Sequence, residues 1–159
     1  MTIEQLDHYS VRTSDVERSA LFYEKALGML RGARPPFNFP GAWLYRTNAD
    51  GDLVGSAVVH IIGIDPNDTS GLKDYLGDKP TLSTPGSGAL DHIAFTASDI
   101  AEMYARLKRH GIGYRERKVP NMDLHQIFIE DPDGVTLELN YAQSQDIALG
   151  HDSMSAART

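Results

Sequence analysis

Four side chains in this sequence are of the types that hold a divalent metal, and they fall at matched positions. Leu6-Asp7-His8 opens one segment and Leu90-Asp91-His92 opens another; Leu6–Asp15 and Leu90–Asp99 agree at five of ten positions at a constant offset of 84. His60 follows His8 by 52 residues and Glu138 follows His92 by 46. Two imidazoles and a carboxylate on one side of an octahedron leave positions open for substrate oxygens and for dioxygen. A lone histidine facing a core is more often a satisfied structural residue. Here the repetition argues otherwise, because the same two places carry ligand-type residues in both copies. His8, His92 and Glu138 are therefore the expected ligands, with His60 the undecided fourth.

The elements around these residues must bring them together. Leu6–Arg12 alternates like a short strand. Ser14 or Asp15 can cap a helix over Val16–Leu27, where apolar residues recur at helical spacing until Gly28 stops them. Three prolines make the stretch from Arg34 to Gly41 irregular, and two strands follow at 42–47 and 56–64. The second copy repeats this order. It has strands at 90–96, 112–118, 124–130 and 135–141, a helix from the Asp99 cap to about His110, and a tight Asp131-Pro132-Asp133-Gly134 turn.

Both halves therefore read βαβββ, an α+β fold of two modules. Residues 1–64 form the first module and 90–142 the second. Residues 65–89 join them as a linker with one short helix near Leu72–Leu76, and 143–159 form a tail. Strand alternation puts His8 with Ser10 and Arg12, and Glu138 with Thr136 and Asn140, on the faces turned away from the helices. If the two sheets pack as pseudo-twofold partners, all four candidates converge. Leu6, Asp7, Leu90 and Asp91 are expected to be framework.

Composition narrows the function class. The net charge of −7 argues against nucleic acid and against an anionic membrane surface, both of which need clustered Lys and Arg. The absence of cysteine removes disulfides, thiolate catalysis and Cys-type zinc sites, and a reducing compartment is compatible with it. No basic start followed by an apolar run, and no stretch of about 18 apolar residues, is present, so a cytoplasmic location is expected.

The segments LDHYSVRTSDVERSALFYEKALGM, LDHIAFTASDI and FIEDPDGVTLELN resemble the vicinal oxygen chelate superfamily, which includes glyoxalase I, extradiol dioxygenases, fosfomycin- and bleomycin-resistance proteins and methylmalonyl-CoA epimerase. The resemblance spans about residues 5–142. It implies paired βαβββ modules around a metal that bridges two adjacent oxygens of a small-molecule substrate, and assembly as a homodimer. It also implies that His8, His92 and Glu138 are the shared ligands.

His60 resembles two family positions. One is the fourth ligand of glyoxalase I; the other is the acid–base histidine of extradiol dioxygenases. The second reading gives an Fe(II) or Mn(II) ring-cleaving enzyme and is the preferred expectation. Asn121 matches a substrate-pocket asparagine of those enzymes, although Phe128 stands where they usually carry tyrosine. The first reading gives a Ni(II) or Zn(II) isomerase, lyase or epimerase. Arg12 then resembles an arginine that glyoxalase I uses for a glutathione carboxylate, or it simply pairs with an acidic neighbour. Other glutathione contacts are thin, with Ile64 where an asparagine is expected. A thiol transferase or a metal-free drug-binding protein are further alternatives. Trp43, Tyr45, Asn140 and Phe128 are the remaining candidates for the substrate side, with Phe37 and Phe39 as further aromatic walls or plain core.

Overall fold

The computed structural model describes residues 6–77, 79–82, 85–88, 90–119 and 122–143. Its two helical boundaries follow from local chemistry. The Asp15 carboxylate accepts from the Arg18 amide at 3.0 Å and starts α1 (Val16–Leu27), and Gly28, at φ 65, ends it in the left-handed conformation. Asp99 does the same for α3 (Ile100–His110), accepting from the Glu102 amide at 3.0 Å, with Gly111 at φ 62 beyond it. The strands of the first half are β1 (Tyr9–Thr13), β2 (Leu30–Arg31), β3 (Gly41–Thr47) and β4 (Leu53–Gly63). Those of the second half are β5 (Ile93–Thr96), β6 (Arg115–Lys118), β7 (His125–Glu130) and β8 (Thr136–Tyr141).

Each half forms a four-stranded mixed sheet with the same order, β1-β4-β3-β2 and β5-β8-β7-β6. The first and last strands of each module lie side by side and parallel, with Ser10 opposite His60 and Ala94 opposite Glu138. That order pairs His8 with His60 and His92 with Glu138. Antiparallel pairing of β3 with β4 puts Trp43 opposite His60, and pairing of β7 with β8 puts Phe128 opposite Glu138.

The two modules share one core. Val11, Leu44, Val59 and Ile61 from the first sheet pack in the same cluster as Ile127, Leu137, Leu139 and Tyr141 from the second, with Tyr23 and Ala26 of α1 and Ile100 and Leu107 of α3 among them. Each large apolar side chain buried this way contributes roughly 1.5–3 kcal/mol. The 131–134 turn is fastened to α1. The Tyr23 hydroxyl donates to Asp131 Oδ2 at 2.7 Å, Arg18 pairs with Asp133 at 3.1 Å, and the Ser19 hydroxyl also donates to Asp133. Asp131 Oδ1 meanwhile accepts from the amides of Asp133 and Val135, which shapes the turn itself.

The structure starts β4 at Leu53, three residues earlier than expected, and β6 at Arg115, three residues later, and it differs from the sequence reading in three further places. The β2 strand is only two residues long, too short for any periodic signal. Both β1 and β5 begin one residue after their histidine, so His8 and His92 stand at strand entrances. The joining segment holds α2 (Ser70–Leu76), two residues longer at its start than expected, and it is more than a spacer. Leu72 is buried against Phe39 and Ile62 in a second cluster, on the His60 face of the first sheet. Gly71 permits this contact: a Cβ there would meet the Asn38 carbonyl oxygen at 1.9 Å. Among the described residues no helix is long and apolar enough to cross a membrane.

Candidate metal and substrate site

The first pair is a stack of rings. His8 and His60 lie 3.8 Å apart between centroids at an interplanar angle of 24°, and Trp43 stacks on His60 at 4.0 Å and 4°. Burial pushes the His60 imidazole down to about 4, helped by the neighbouring His8 and Arg34 and opposed by Asp7. His60 is thus a neutral imidazole at neutral pH, with a lone pair available and no proton to displace.

The second pair is an imidazole and a carboxylate. His92 Nε2 lies 3.3 Å from Glu138 Oε2, and Glu138 is buried. The other Glu138 oxygen accepts from Asn140 Nδ2 at 2.8 Å, and Asn140 Oδ1 accepts from Gln126 Nε2 at 3.2 Å. A hydrogen-bonded row therefore runs along this face and orients the carboxylate. Phe128 meets His92 edge-on at 6.3 Å and carries the Arg115 guanidinium over its own ring at 3.7 Å.

The aspartates of the two Leu-Asp-His stretches correct the framework expectation. Asp7 Oδ2 lies 2.6 Å from His8 Nδ1, and Asp91 Oδ2 lies 2.7 Å from His92 Nδ1. A carboxylate on Nδ1 holds the proton there and presents Nε2 as a lone pair, the arrangement that supports metal-bound histidines. At the second pair this leaves two acceptors, Nε2 and Oε2, facing each other. A cation between them, a second proton or a metal ion, is what removes the repulsion. Two ligands each about 2.1 Å from one ion, at a right angle, sit about 3 Å apart, close to the distance seen. The donor set therefore fits a divalent metal.

The four candidates are not gathered into one cluster within a chain. Among the described residues no group of three or more His, Asp or Glu side chains is close enough to hold an ion. They form two separate pairs, His8 with His60 and His92 with Glu138. A cleft of about 390 Å³ runs from His8, Val58 and Arg46 to Ala94 and Thr96 and joins the candidate faces of both sheets. A second cavity, of about 260 Å³, contains His8, His60 and Trp43 with Arg34, Phe37, Phe39 and Tyr75. A larger one, of about 660 Å³ between Phe22 and Arg115, reaches Phe128 but none of the four candidates.

The other expected site residues are scattered. Arg12 donates to the carbonyls of Pro80 and Leu82 at 2.5 and 3.3 Å, so it anchors the joining segment, and among the described residues it bonds no acidic neighbour. The Tyr45 hydroxyl donates to the Ala33 carbonyl at 2.6 Å, outside the cavity that Trp43 lines. Asn121 lies outside the described residues. His125 is buried on the helix-facing side of β7, with Glu116 3.3 Å away, as its alternation from Phe128 requires. Sequence reasoning passed over Arg34, Tyr75 and Gln126. Arg34 lies in a segment with no periodicity; Tyr75 lies in the short helix near Leu72–Leu76, whose packing the sequence does not show; Gln126 was detectable from its alternation with Phe128.

Paired βαβββ modules, each with ligand-type residues on its first and last strands, define the class of protein. The chain belongs to the Glyoxalase/Bleomycin resistance protein/Dioxygenase superfamily, whose pattern residues 5–139 match. Members of this superfamily typically use a divalent metal. The chain is similar to Glyoxylase I 4 of Arabidopsis thaliana, at 28% identity over 86% of this chain and 70% of that one. It is similar to lactoylglutathione lyase of Salmonella typhimurium, at 26% identity over 92% and 99%. In solved structures it shares its fold with a glyoxalase/bleomycin resistance protein/dioxygenase from Nocardioides, at a TM-score of 0.60 and 20% identity, covering 98% and 92%.

Proposed function

We propose that this protein is a divalent-metal isomerase or lyase of glyoxalase I type, working as a homodimer. In it His8 and His60 of one copy meet His92 and Glu138 of the other. The observation that carries the metal is the facing pair of acceptors, His92 Nε2 and Glu138 Oε2 at 3.3 Å. The division of the candidates into two half-sites supports completion by a second chain.

Two observations favour the isomerase over the ring-cleaving reading preferred from sequence. The relatives named for an activity are glyoxalases. His60, held near 4, is also poorly matched to acid–base work at neutral pH, where a value near the working pH serves best. As a fourth ligand it needs only its lone pair.

A bound metal would polarise two adjacent oxygens of the substrate as a Lewis acid. The chain's own residues supply the rest. Glu138, its Oε1 held by Asn140, would take the proton from the substrate carbon and return it to the neighbouring carbon while the hydroxyl proton passes to the former carbonyl oxygen, so no net proton or electron is gained or lost. Asp7 and Asp91 would keep Nε2 of each histidine pointed at the ion. Trp43 would shield the His60 side from water.

Complementation tests the assembly. A chain carrying H8Q and H60Q and another carrying H92Q and E138Q should each bind no nickel or zinc. Refolded together they should recover it, because one of the two sites in a mixed dimer is intact. No recovery would refute the shared site. The reaction is tested by turnover of a glutathione hemithioacetal without oxygen consumption; catechol-dependent oxygen uptake would restore the ring-cleaving reading.

A further inference from the structure

The cavity beside His60 holds a cation that no carboxylate neutralises among the described residues. Arg34 donates through Nη2 to the Phe39 carbonyl at 2.9 Å, and its guanidinium lies 5.0 Å from the Phe37 ring centroid and 5.1 Å from that of Phe39. Arg18, Arg31, Arg106 and Arg109, by contrast, each have a carboxylate within 4 Å. Arg12 and Arg46 likewise have no carboxylate within that distance among the described residues; of these three, only Arg34 shares a cavity with His60. Burial makes the charged form of Arg34 less favourable. A partly buried cation without a carboxylate partner gains from an anion that enters beside it.

The walls say what the anion is attached to. Phe37, Phe39, Tyr75 and Trp43 are flat, and Phe37 and Phe39 are themselves stacked at 5.2 Å. An apolar cavity of about 150 Å³ is large enough for benzene, so about 260 Å³ admits one ring with short polar substituents. His8 and His60 border the same space. A molecule lying there can present two adjacent oxygens to the histidines and a carboxylate to Arg34.

We propose that the part of the substrate beyond its two metal-facing oxygens is a flat carboxylate of single-ring size, with its acid group read by Arg34 and its ring held among Phe37, Phe39, Tyr75 and Trp43. This rests on His8 and His60 being half of the metal site, which makes the cavity the substrate side. The acid group recognises substrate; Arg34 takes no part in the chemistry.

Trp43 is the sole tryptophan, so its fluorescence reports on this cavity directly. The test uses full-length, EDTA-treated protein in metal-free buffer, with 4-nitrobenzoate and the neutral 4-nitrobenzamide as quenching probes. The acid should bind at least tenfold tighter than the amide. R34Q should abolish that preference and leave amide binding within twofold of wild type, with nickel uptake and the melting temperature unchanged. R34K, which keeps the charge but loses the planar fork, should retain a reduced preference. Equal binding of acid and amide, no binding of either, or an intact preference in R34Q would overturn the proposal. An acid preference that appears only after metal is added would also overturn it, because the carboxylate then sits on the ion, and the metal reading would stand without it.

Discussion

Each candidate histidine comes with its own orienting carboxylate, one residue before it in the chain. The Asp–His contact is made between neighbours at a strand entrance, so it costs little order to maintain. Its removal should act on the metal more than on the fold. Asp91→Ala is expected to weaken nickel or zinc binding about 10- to 100-fold, measured by chelator competition, with thermal stability changed by less than about 0.5 kcal/mol because Asp91 is exposed. An unchanged metal affinity would show that the contact is incidental. His60 gives the complementary test. His60→Ala should lower metal affinity together with turnover, as a fourth ligand requires. Full metal content with lost turnover would instead assign it to proton transfer.

At the scale of elements, the short helix α2 shapes the candidate site as much as any strand does. It lies over the His60 face of the first sheet, with Leu72 against Phe39 and Ile62 and with the Tyr75 ring 5.2 Å from that of Phe39 and 6.0 Å from that of Phe37. Gly71 sets how closely it approaches. Gly71→Ala would drive a methyl into the Asn38 carbonyl and push the helix outward. The expected cost is about 1–3 kcal/mol in denaturant unfolding, with a changed Trp43 emission as the cavity opens. A silent substitution would mean that α2 is not a wall of the site. The segment was legible as a helix from its Leu and Tyr spacing. Its packing was not, because Leu72 meets residues far away along the chain.

At the scale of the whole molecule, the joint between the modules is a buried hydrogen bond to a carboxyl group. Asp131 is buried at the end of β7 with the Tyr23 hydroxyl on Oδ2, and burial holds its carboxyl above the ordinary range while the Tyr23 bond lowers it in part. A raised folded value means that this carboxyl favours the folded state most when protonated, and that contribution is lost as pH rises through the folded value. Tyr23→Phe removes a donor to the ionised form. It should therefore cost about 1.5–3 kcal/mol at neutral pH and less near pH 4 (roughly the ordinary carboxylate value), as read from melting temperatures across that range. A pH-independent loss would mean that Asp131 is neutral throughout. By itself the sequence determined the duplicated βαβββ order, the cap at Asp99 and a first cap at Ser14 or Asp15, the stops at Gly28 and Gly111, and the faces that carry His8, His60, His92 and Glu138. All of these depend on neighbours within a few residues or on strand alternation. Only the tertiary structure decided that Arg12 anchors the joining segment, that α2 and Arg34 enclose the cavity beside His60, and that the four candidates divide into two separate pairs. Those outcomes depend on how separate elements pack, and contacts between residues distant in the chain leave no period in it.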